Sequence, residues 1–328
     1  MCAIDTICIC YAPMGPLVRR GSVLYEALGD QGMDILDVSD PTDPQSLVGG
    51  PQSLLGRTRG VAIGQNVQVP EGGHDQSRTV AAFVGGGDAG HNGFIEVRYA
   101  DFPDDPAHPE QNPPQTAPMG QHISGAFLCY SVGSDPDLPQ GSPTLVKTVG
   151  SEAFVSTTGV GLQQVDLSAV AHQSRYAVQA SVGTYKVDDN LTLDISVALG
   201  GIGVLPPQAN SSGFVLAAVR NKGLVAYDVT TGPGLKEAGY AKFPASVRPT
   251  GAVRLNVYPS TTYTVSENGA LVTKTTNLLL MAGGGTGLMV YEVVPNGTAV
   301  TKELKKRGQV FTVSVLNATL LSTGQFMP

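Results

Sequence analysis

Residues 23–44 read VLYEALGDQGMDILDVSDPTDP and contain a pattern that recurs along the chain. An apolar strand leads into a tight turn, and the glycine at position 32 opens a second strand that ends near an acidic residue. Glycine supplies the positive φ that such a turn often requires. The Asp- and Pro-rich segment that follows favours another turn. The stretch therefore predicts a β-hairpin with a turn after its second strand.

The same unit occurs five times. The glycines that open the second strand stand at positions 32, 93, 161, 223 and 287, so that 61 to 68 residues separate each from the next. The copy around Gly161, with the strand 153–155 before it, matches the template less closely than the others. Further short apolar stretches flank the hairpins, at 60–63 and 251–257 before them and at 46–48 and 145–149 after them. We therefore expect about four strands in each unit.

Composition favours short strands joined by turns. The 328 residues include 41 Gly and 23 Pro, whereas charged residues make up only 14%. The strands are apolar on both faces, as sheets covered on both sides require. A four-stranded sheet that must bury both faces recurs along the chain. This pattern predicts an all-β fold, and specifically a β-propeller of about five to seven four-stranded blades. We expect one propeller domain over residues 1–328 with a loop insertion at 98–125, either complete or part of a larger protein.

The segment 32–44, GMDILDVSDPTDP, resembles the LVIVD repeat, which is known from bacterial and archaeal surface proteins. The repeat has the pattern Gly-Leu-x-x-x-Asp-Val-Ser-Asp-Pro-x-x-Pro. The likeness is close at 32–44, partial at 223–234 and 287–297, where Asp-Pro is lost, and weak around positions 93 and 161. The resemblance implies a β-propeller on a cell surface, and it implies architecture more than activity.

Charge and hydropathy exclude several classes of partner. The net charge is −7 and no basic stripe dominates, so a nucleic-acid partner is not expected. The longest purely apolar runs, 214–219 and 278–282, are far shorter than the roughly 20 residues of a membrane-spanning helix. The N-terminus shows no secretory signal.

The sequence contains four cysteines and no C-x-x-C motif. We interpret them as small buried residues, with a disulfide as the alternative. They are Cys2, Cys8, Cys10 and Cys129.

The run 85–90, GGGDAG, matches the dinucleotide-binding pattern G-x-G-x-x-G. Such a site requires a helix after the loop, whereas a strand is expected to follow here. The similar run 283–287, GGGTG, occupies the same place in its own repeat. Both runs are therefore interpreted as turns between strands. The sequence has no nucleophile elbow, Walker loop or zinc-ligand spacing.

Two groups of residues could hold a metal. Four of the five histidines, His74, His91, His108 and His122, lie within 49 residues of one another, while His172 stands apart. They share no common position in the repeat and are interpreted as solvated loop residues, with a metal site as the alternative. Two acidic clusters could bind calcium through oxygen ligands, although capping of turns explains the same residues. The clusters are Asp37, Asp40 and Asp43, and Asp101, Asp104 and Asp105.

The leading hypothesis is a non-enzymatic propeller that binds or scaffolds proteins, outside the cytoplasm, as part of a surface or extracellular assembly. Its partners would be other proteins or copies of the same chain, with no catalytic or cofactor residues assigned. The alternative is a propeller enzyme, such as a metal-dependent lactonase or an oxidoreductase, with its site in the central funnel. The two hypotheses can be distinguished by whether titratable side chains from several blades lie together in the central funnel.

Overall fold

A computed structural model shows a nearly all-β protein. Its strands form five four-stranded antiparallel sheets and one two-stranded ribbon, and the one helix of the described residues is α1 (Leu167–Ala171). The structure describes residues 16–87, 93–99, 122–127, 142–158, 161–173, 177–182, 197–206, 213–219, 223–229, 234–241, 254–268, 270–282, 287–296, 299–300 and 305–310.

Each sheet consists of strands that follow one another in the sequence, and neighbours in sequence are neighbours in the sheet. The first sheet comprises β1 (Leu17–Arg20), β2 (Val23–Ala27), β3 (Met33–Asp37) and β4 (Gln45–Ser46). The second comprises β5 (Gly56–Glu71), β6 (His74–Gly87), β7 (Phe94–Tyr99) and β8 (His122–Phe127). The third comprises β9 (Ser142–Val149), β10 (Glu152–Thr158), β11 (Gly161–Asp166) and β12 (Val178–Val182).

The last two sheets follow the same order. The fourth comprises β13 (Val197–Leu205), β14 (Phe214–Val219), β15 (Gly223–Asp228) and β16 (Lys236–Ala241). The fifth comprises β17 (Arg254–Glu267), β18 (Ala270–Ala282), β19 (Leu288–Val293) and β22 (Lys305–Val310). The ribbon of β20 (Pro295–Asn296) and β21 (Ala299–Val300) lies between the last two strands of the fifth sheet in the chain.

Consecutive sheets pack face to face, and each strand shares its side chains between two cores. In β6, Val80, Ala82 and Val84 belong to the core between the second and third sheets, whereas Ala81 and Phe83 belong to the core between the first and second. The middle strands of the fourth sheet divide in the same way between the cores that face the third and fifth sheets. Because successive side chains of a strand point to opposite faces, both faces are apolar.

The first strands of consecutive sheets line one side of this packing. β5 contacts β9, β9 contacts β13, and β13 contacts β17. β1 and β2 also contact β5. From the second sheet to the fifth, the first strands therefore lie next to one another.

The outward faces of the first and fifth sheets are also buried. In the fifth sheet, Leu278, Leu280 and Ala282 alternate with residues that face the fourth sheet, and each is at most 4% exposed. In the first sheet, Glu26 and Asp34 lie opposite each other on the face away from the second sheet and are 5% and 7% exposed. Burial and the neighbouring Asp34 raise the pKa of Glu26. These outward faces are thus buried at their centre, whereas Leu24 and Leu36 of the first sheet and Val290 of the fifth are half-buried.

Two hairpins exceed the short strands predicted from composition. The β5–β6 and β17–β18 hairpins extend beyond the sheets to which they belong, and we call residues 65–77 and 260–276 the second-sheet arm and the fifth-sheet arm. At the base of each arm the strand register shifts and a non-glycine residue has positive φ, Asn66 at 55° and Ser260 at 51°. A bulge of this kind bends the strand and lets the hairpin continue past the sheet.

The strand order corrects one sequence assignment and confirms another. Residues 145–149, predicted to end the second unit, belong to β9 and begin the third sheet, because they pair with β10 across the turn at Gly150. The less regular copy around Gly161 does form a hairpin, of β10 and β11. At the predicted insertion 98–125, β7 runs to Tyr99 and β8 begins at His122, so both ends of that range belong to strands.

The rest of that insertion, residues 100–121, lies outside the described residues, as do all four cysteines. The domain boundaries 1–328 remain a prediction.

Gly32 shows why this glycine marks the repeat. Its φ is +82°, and a Cβ atom built on it would lie 2.0 Å from the backbone oxygen of Gln52. That oxygen accepts a hydrogen bond from the N–H of Met33 at 2.9 Å. Any larger residue would therefore strain the backbone and push the segment around Gln52 away from β3.

We expect Gly32→Ala to lower the free energy of unfolding by more than the about 1–3 kcal/mol that backbone strain alone costs. The matched control is Gly49→Ala, since Gly49 has a similar φ of +78° with no atom within 4 Å of a built Cβ. Urea unfolding of both variants checks this prediction. Equal losses would mean that the approach of Gln52 contributes nothing.

Candidate functional site

The described histidines belong to three different elements. His74 lies at the exposed tip of the β5–β6 hairpin, His122 is the first residue of β8, and His172 follows α1 in the third sheet. His91 and His108 lie outside the described residues. Among the residues that the structure describes, no three His, Cys, Asp or Glu side chains are grouped as metal ligands would be.

The first acidic cluster is occupied in capping its own turn. The Oδ1 atom of Asp37 accepts the backbone N–H of Ser39 at 2.8 Å, and that of Asp40 accepts the N–H of Thr42 at 2.9 Å. The side chain of Gln45 donates to Asp43 at 2.8 Å. These are the local turn contacts that favour Asp in loops. The second cluster, Asp101, Asp104 and Asp105, lies outside the described residues.

The acid at the end of the third strand has a repeated structural role. Asp166, at the same repeat position as Asp37, accepts the backbone N–H of Ser168 at 2.8 Å. Both residues therefore cap the segment that follows their strand. In the second sheet the equivalent residue is Arg98, and the pattern of the repeat is broken there.

Arg98 and Glu96 form a buried ion pair on β7. Their side chains are 5% and 2% exposed, and the guanidinium Nη2 atom lies 3.4 Å from Oε1 of Glu96. The other carboxylate oxygen accepts the backbone N–H of Leu55 at 3.3 Å. Burial raises the pKa of Glu96 and lowers that of Arg98, while the attraction between them opposes both shifts. The pair thus links β7 to the segment that joins the first two sheets.

The glycine run 85–87 ends a strand. Its three residues pair with Gly56, Arg57 and Thr58 of β5, and the next described element is strand β7. A dinucleotide loop requires a helix there, whereas the expected strand follows; residues 85–87 themselves belong to β6 and not to the predicted turn. Residues 88–92 and 283–286 lie outside the described residues.

The fifth-sheet arm is held firmly at its base. The side-chain carbonyl of Asn277, which is 7% exposed, accepts the backbone N–H of Ser260 at 3.0 Å. Its amide group donates to the backbone carbonyl of Val293 at 3.1 Å. The hydroxyl of Thr261 donates to the carbonyl of Tyr258 at 3.0 Å. Because one side chain bridges both strands of the arm's base to β19, the arm has a fixed direction relative to the sheet.

One face of this arm is an exposed array of hydroxyl groups. Thr262 lies opposite Thr275 with their Oγ1 atoms 2.9 Å apart, and Thr264 lies opposite Thr273 at 3.4 Å. Leu271, near the tip, is 80% exposed, the highest value among the large apolar side chains of the described residues. β17 is the edge strand of its sheet. The arm thus offers solvent an uncharged face, an apolar tip and a strand edge.

A group of polar side chains lies where the third sheet meets the fourth. Glu152 and Asp166 are directly opposite each other on β10 and β11. Burial, followed by the charge of Asp166, raises the pKa of Glu152 to about 7. Gln164 donates to Glu152 at 3.4 Å and accepts the backbone N–H of Gly234 at 3.2 Å. This site links the third sheet to the fourth.

Sequence analysis missed the fifth-sheet arm and the polar site at the third sheet. The signal for the arm was present in residues 261–276, TTYTVSENGALVTKTT, where alternating β-branched residues flank the hairpin turn signal Asn-Gly. For Glu152, Gln164 and Asp166 no local signal existed, because their proximity depends on the register of β10 and β11.

Comparison with known proteins adds little to this description. No protein-family model matches the chain, and no curated protein matches it. Among solved structures the chain is similar to one described as "YCF48 bound to D1 peptide", with 12% identity and a TM-score of 0.37, over 90% of this chain and 80% of that chain. In the part of the chain that is described, the single short helix could not cross a bilayer.

The ion pair on β7 leads to a stability prediction. Glu96→Ala leaves the buried guanidinium of Arg98 without its counter-charge, so we expect a loss of about 3–5 kcal/mol in the free energy of unfolding. Replacing both residues together, as Glu96→Leu with Arg98→Met, removes the buried charges and is expected to cost far less. Urea unfolding of both variants measures the difference. A double variant as unstable as the single one would contradict this account.

Proposed function

We propose that this chain is a non-enzymatic β-propeller that serves as a protein-binding module in an assembly, and that the fifth-sheet arm is its principal contact with partners. The observation that carries the proposal is the firmly rooted arm of residues 260–276, whose face of four threonines is uncharged and open to solvent. The calcium site and the funnel enzyme considered from the sequence gain no supporting geometry within the described residues.

The propeller architecture is supported by three features of the sheets. Five four-stranded meanders follow one another, each packs through its face on the next, and their first strands lie side by side. The burial at the centre of the outward faces of the first and fifth sheets is in keeping with closure into a ring. In a ring every sheet face is covered by a neighbour, and only short edges stay exposed.

The arm has the features of a protein-binding element. Protein interfaces are depleted of charged residues at their centre, and extended edges bind partners through backbone hydrogen bonds. The face formed by the four threonines carries no charge, and Leu271 adds apolar surface at the tip. Natural edge strands are commonly protected by charges or proline, whereas residues 260–266 of β17 contain neither.

The setting follows from the resemblance of residues 32–44 to the LVIVD repeat. We propose a cell-surface or extracellular location, with other proteins or further copies of the chain as partners. The low content of charged residues and the abundance of glycine suit a stacked-sheet assembly protein.

The arm can be tested on the native assembly. We expect the protein isolated under mild conditions to run above its own mass of 33.9 kDa in native mass measurement. Leu271→Glu places a charge on the contact surface and should weaken assembly at least about tenfold, which corresponds to about 1.4 kcal/mol. Leu17→Glu is the matched control, since Leu17 is also exposed, at 46%, but lies on β1.

A wild-type chain that runs alone, or an assembly that survives Leu271→Glu unchanged, would contradict the proposed role of the arm. Elemental analysis provides a separate check, because a transition metal bound in stoichiometric amount would instead support the enzyme alternative.

A further inference from the structure

Helix α1 joins the third sheet to the second-sheet arm. It follows β11 directly and packs against β5, β7 and β8. Leu167 and Val170 of the helix share one core with Val67 and Val69 of the arm, and all four are fully buried. The backbone N–H of Gln68 donates to the hydroxyl of Ser168 at 3.0 Å. The helix therefore covers the arm of the neighbouring sheet.

His172, at the C-terminal end of the helix, faces a hydrogen-bond acceptor with each of its ring nitrogens. Nδ1 lies 2.7 Å from the backbone carbonyl of Ser168, and Nε2 lies 2.9 Å from Oδ1 of Asp75 on β6. Both ring nitrogens are donors only in the protonated imidazole. A neutral ring would direct a lone pair at one of the two oxygens, so the geometry favours the charged form.

The N-terminal end of the helix has a second titratable contact. Asp166 caps the helix through the N–H of Ser168, and Glu152 lies directly opposite it across the β10–β11 pair. When Glu152 is neutral, Asp166 has no negative neighbour on that strand. Ionisation of Glu152 places two carboxylates side by side, which destabilises such a cross-strand pair.

We propose that helix α1 is a pH-responsive clasp, which holds the second-sheet arm against the third sheet while both His172 and Glu152 carry a proton, and loosens when the pH rises. This inference does not depend on the proposed partner-binding role of the fifth-sheet arm.

Protonation of His172 and protonation of Glu152 both stabilise the contact between helix α1 and the second-sheet arm. The backbone carbonyl of Ser168 and the carboxylate of Asp75 raise the pKa of His172 above its ordinary value. The stabilisation from this contact is complete below the ordinary histidine pKa and is lost as the pH rises through the raised one. The raised pKa of Glu152, about 7, gives the same sign, because the neutral form that the folded state favours disappears above it. Glu152 therefore contributes loosening between its ordinary pKa and about pH 7, and His172 contributes it above the ordinary histidine pKa, up to its raised value.

The charges around His172 come from both packed elements. Asp75 belongs to the arm and Asp166 to the N-cap of the helix, and each favours the protonated ring. Elsewhere on the arm, the buried guanidinium of Arg78 is paired with Glu71. β7 contributes the buried Tyr99 to the same core. The two carboxylates are thus the charges that act on the ring.

Hydrogen exchange on the full chain tests the clasp. After correction for the intrinsic pH dependence of exchange, we expect the amides of residues 65–78 to lose protection severalfold between about pH 5.5 and pH 8.5. The amides of the fifth-sheet arm, residues 260–276, provide the internal control and should not change. Histidine NMR of the same protein should show His172 titrating above an ordinary histidine, with His74→Gln and His122→Gln used to assign the signals.

Two conservative variants separate the clasp from general stability. Asp75→Asn should move the titration of His172 back toward the ordinary histidine range and lower the protection of the arm at acidic pH. Glu152→Gln, which imitates the neutral carboxyl, should preserve protection to higher pH. Protection of residues 65–78 that is independent of pH in the wild-type chain would overturn the proposal, as would an unchanged His172 titration in Asp75→Asn.

Discussion

The structure depends on the packing of one sheet face against the next. The central strands of the second, third and fourth sheets are apolar on both sides, because each side belongs to a different core. Phe83 and Val84, which are neighbours on β6, point into two different cores. No sheet has a hydrophobic core of its own, so a sheet removed from the series would expose two apolar faces. This is the physical basis of repeat proteins, in which units are stabilised by their neighbours. It also explains the low charge content, since there are few strand positions left for charged side chains.

Polar side chains occur among these sheets where they can form hydrogen bonds or ion pairs. Asp37 and Asp166 stand at the ends of strands and accept backbone N–H groups of the following turn. Arg98 replaces the acid at that repeat position and is neutralised by Glu96 two residues earlier on the same strand face. A buried polar group costs free energy unless it is hydrogen-bonded or paired, so these residues are constrained by the cores around them.

The two arms share one structural feature at their base but differ in how their faces are covered. In both, a bulge with a positive-φ residue lets a hairpin continue past its sheet. The second-sheet arm has Val67 and Val69 on one face, and helix α1 buries them. The fifth-sheet arm instead exposes Thr262, Thr264 and Leu271 to solvent. One arm therefore strengthens the contact between sheets, while the other leaves its face open to solvent.

The sequence by itself determined the all-β class, the five hairpins and the turn glycines, because these depend on side-chain alternation and on backbone conformations that are local. Even the irregular copy around Gly161 could be recognised in this way. Tertiary structure alone decided which strands share a sheet, as the transfer of residues 145–149 to the third sheet shows. It also brought together Asp75 with His172, and Glu152 with Asp166. These residues are up to 97 positions apart, and only strand register and sheet packing, which no local pattern encodes, bring their side chains into contact.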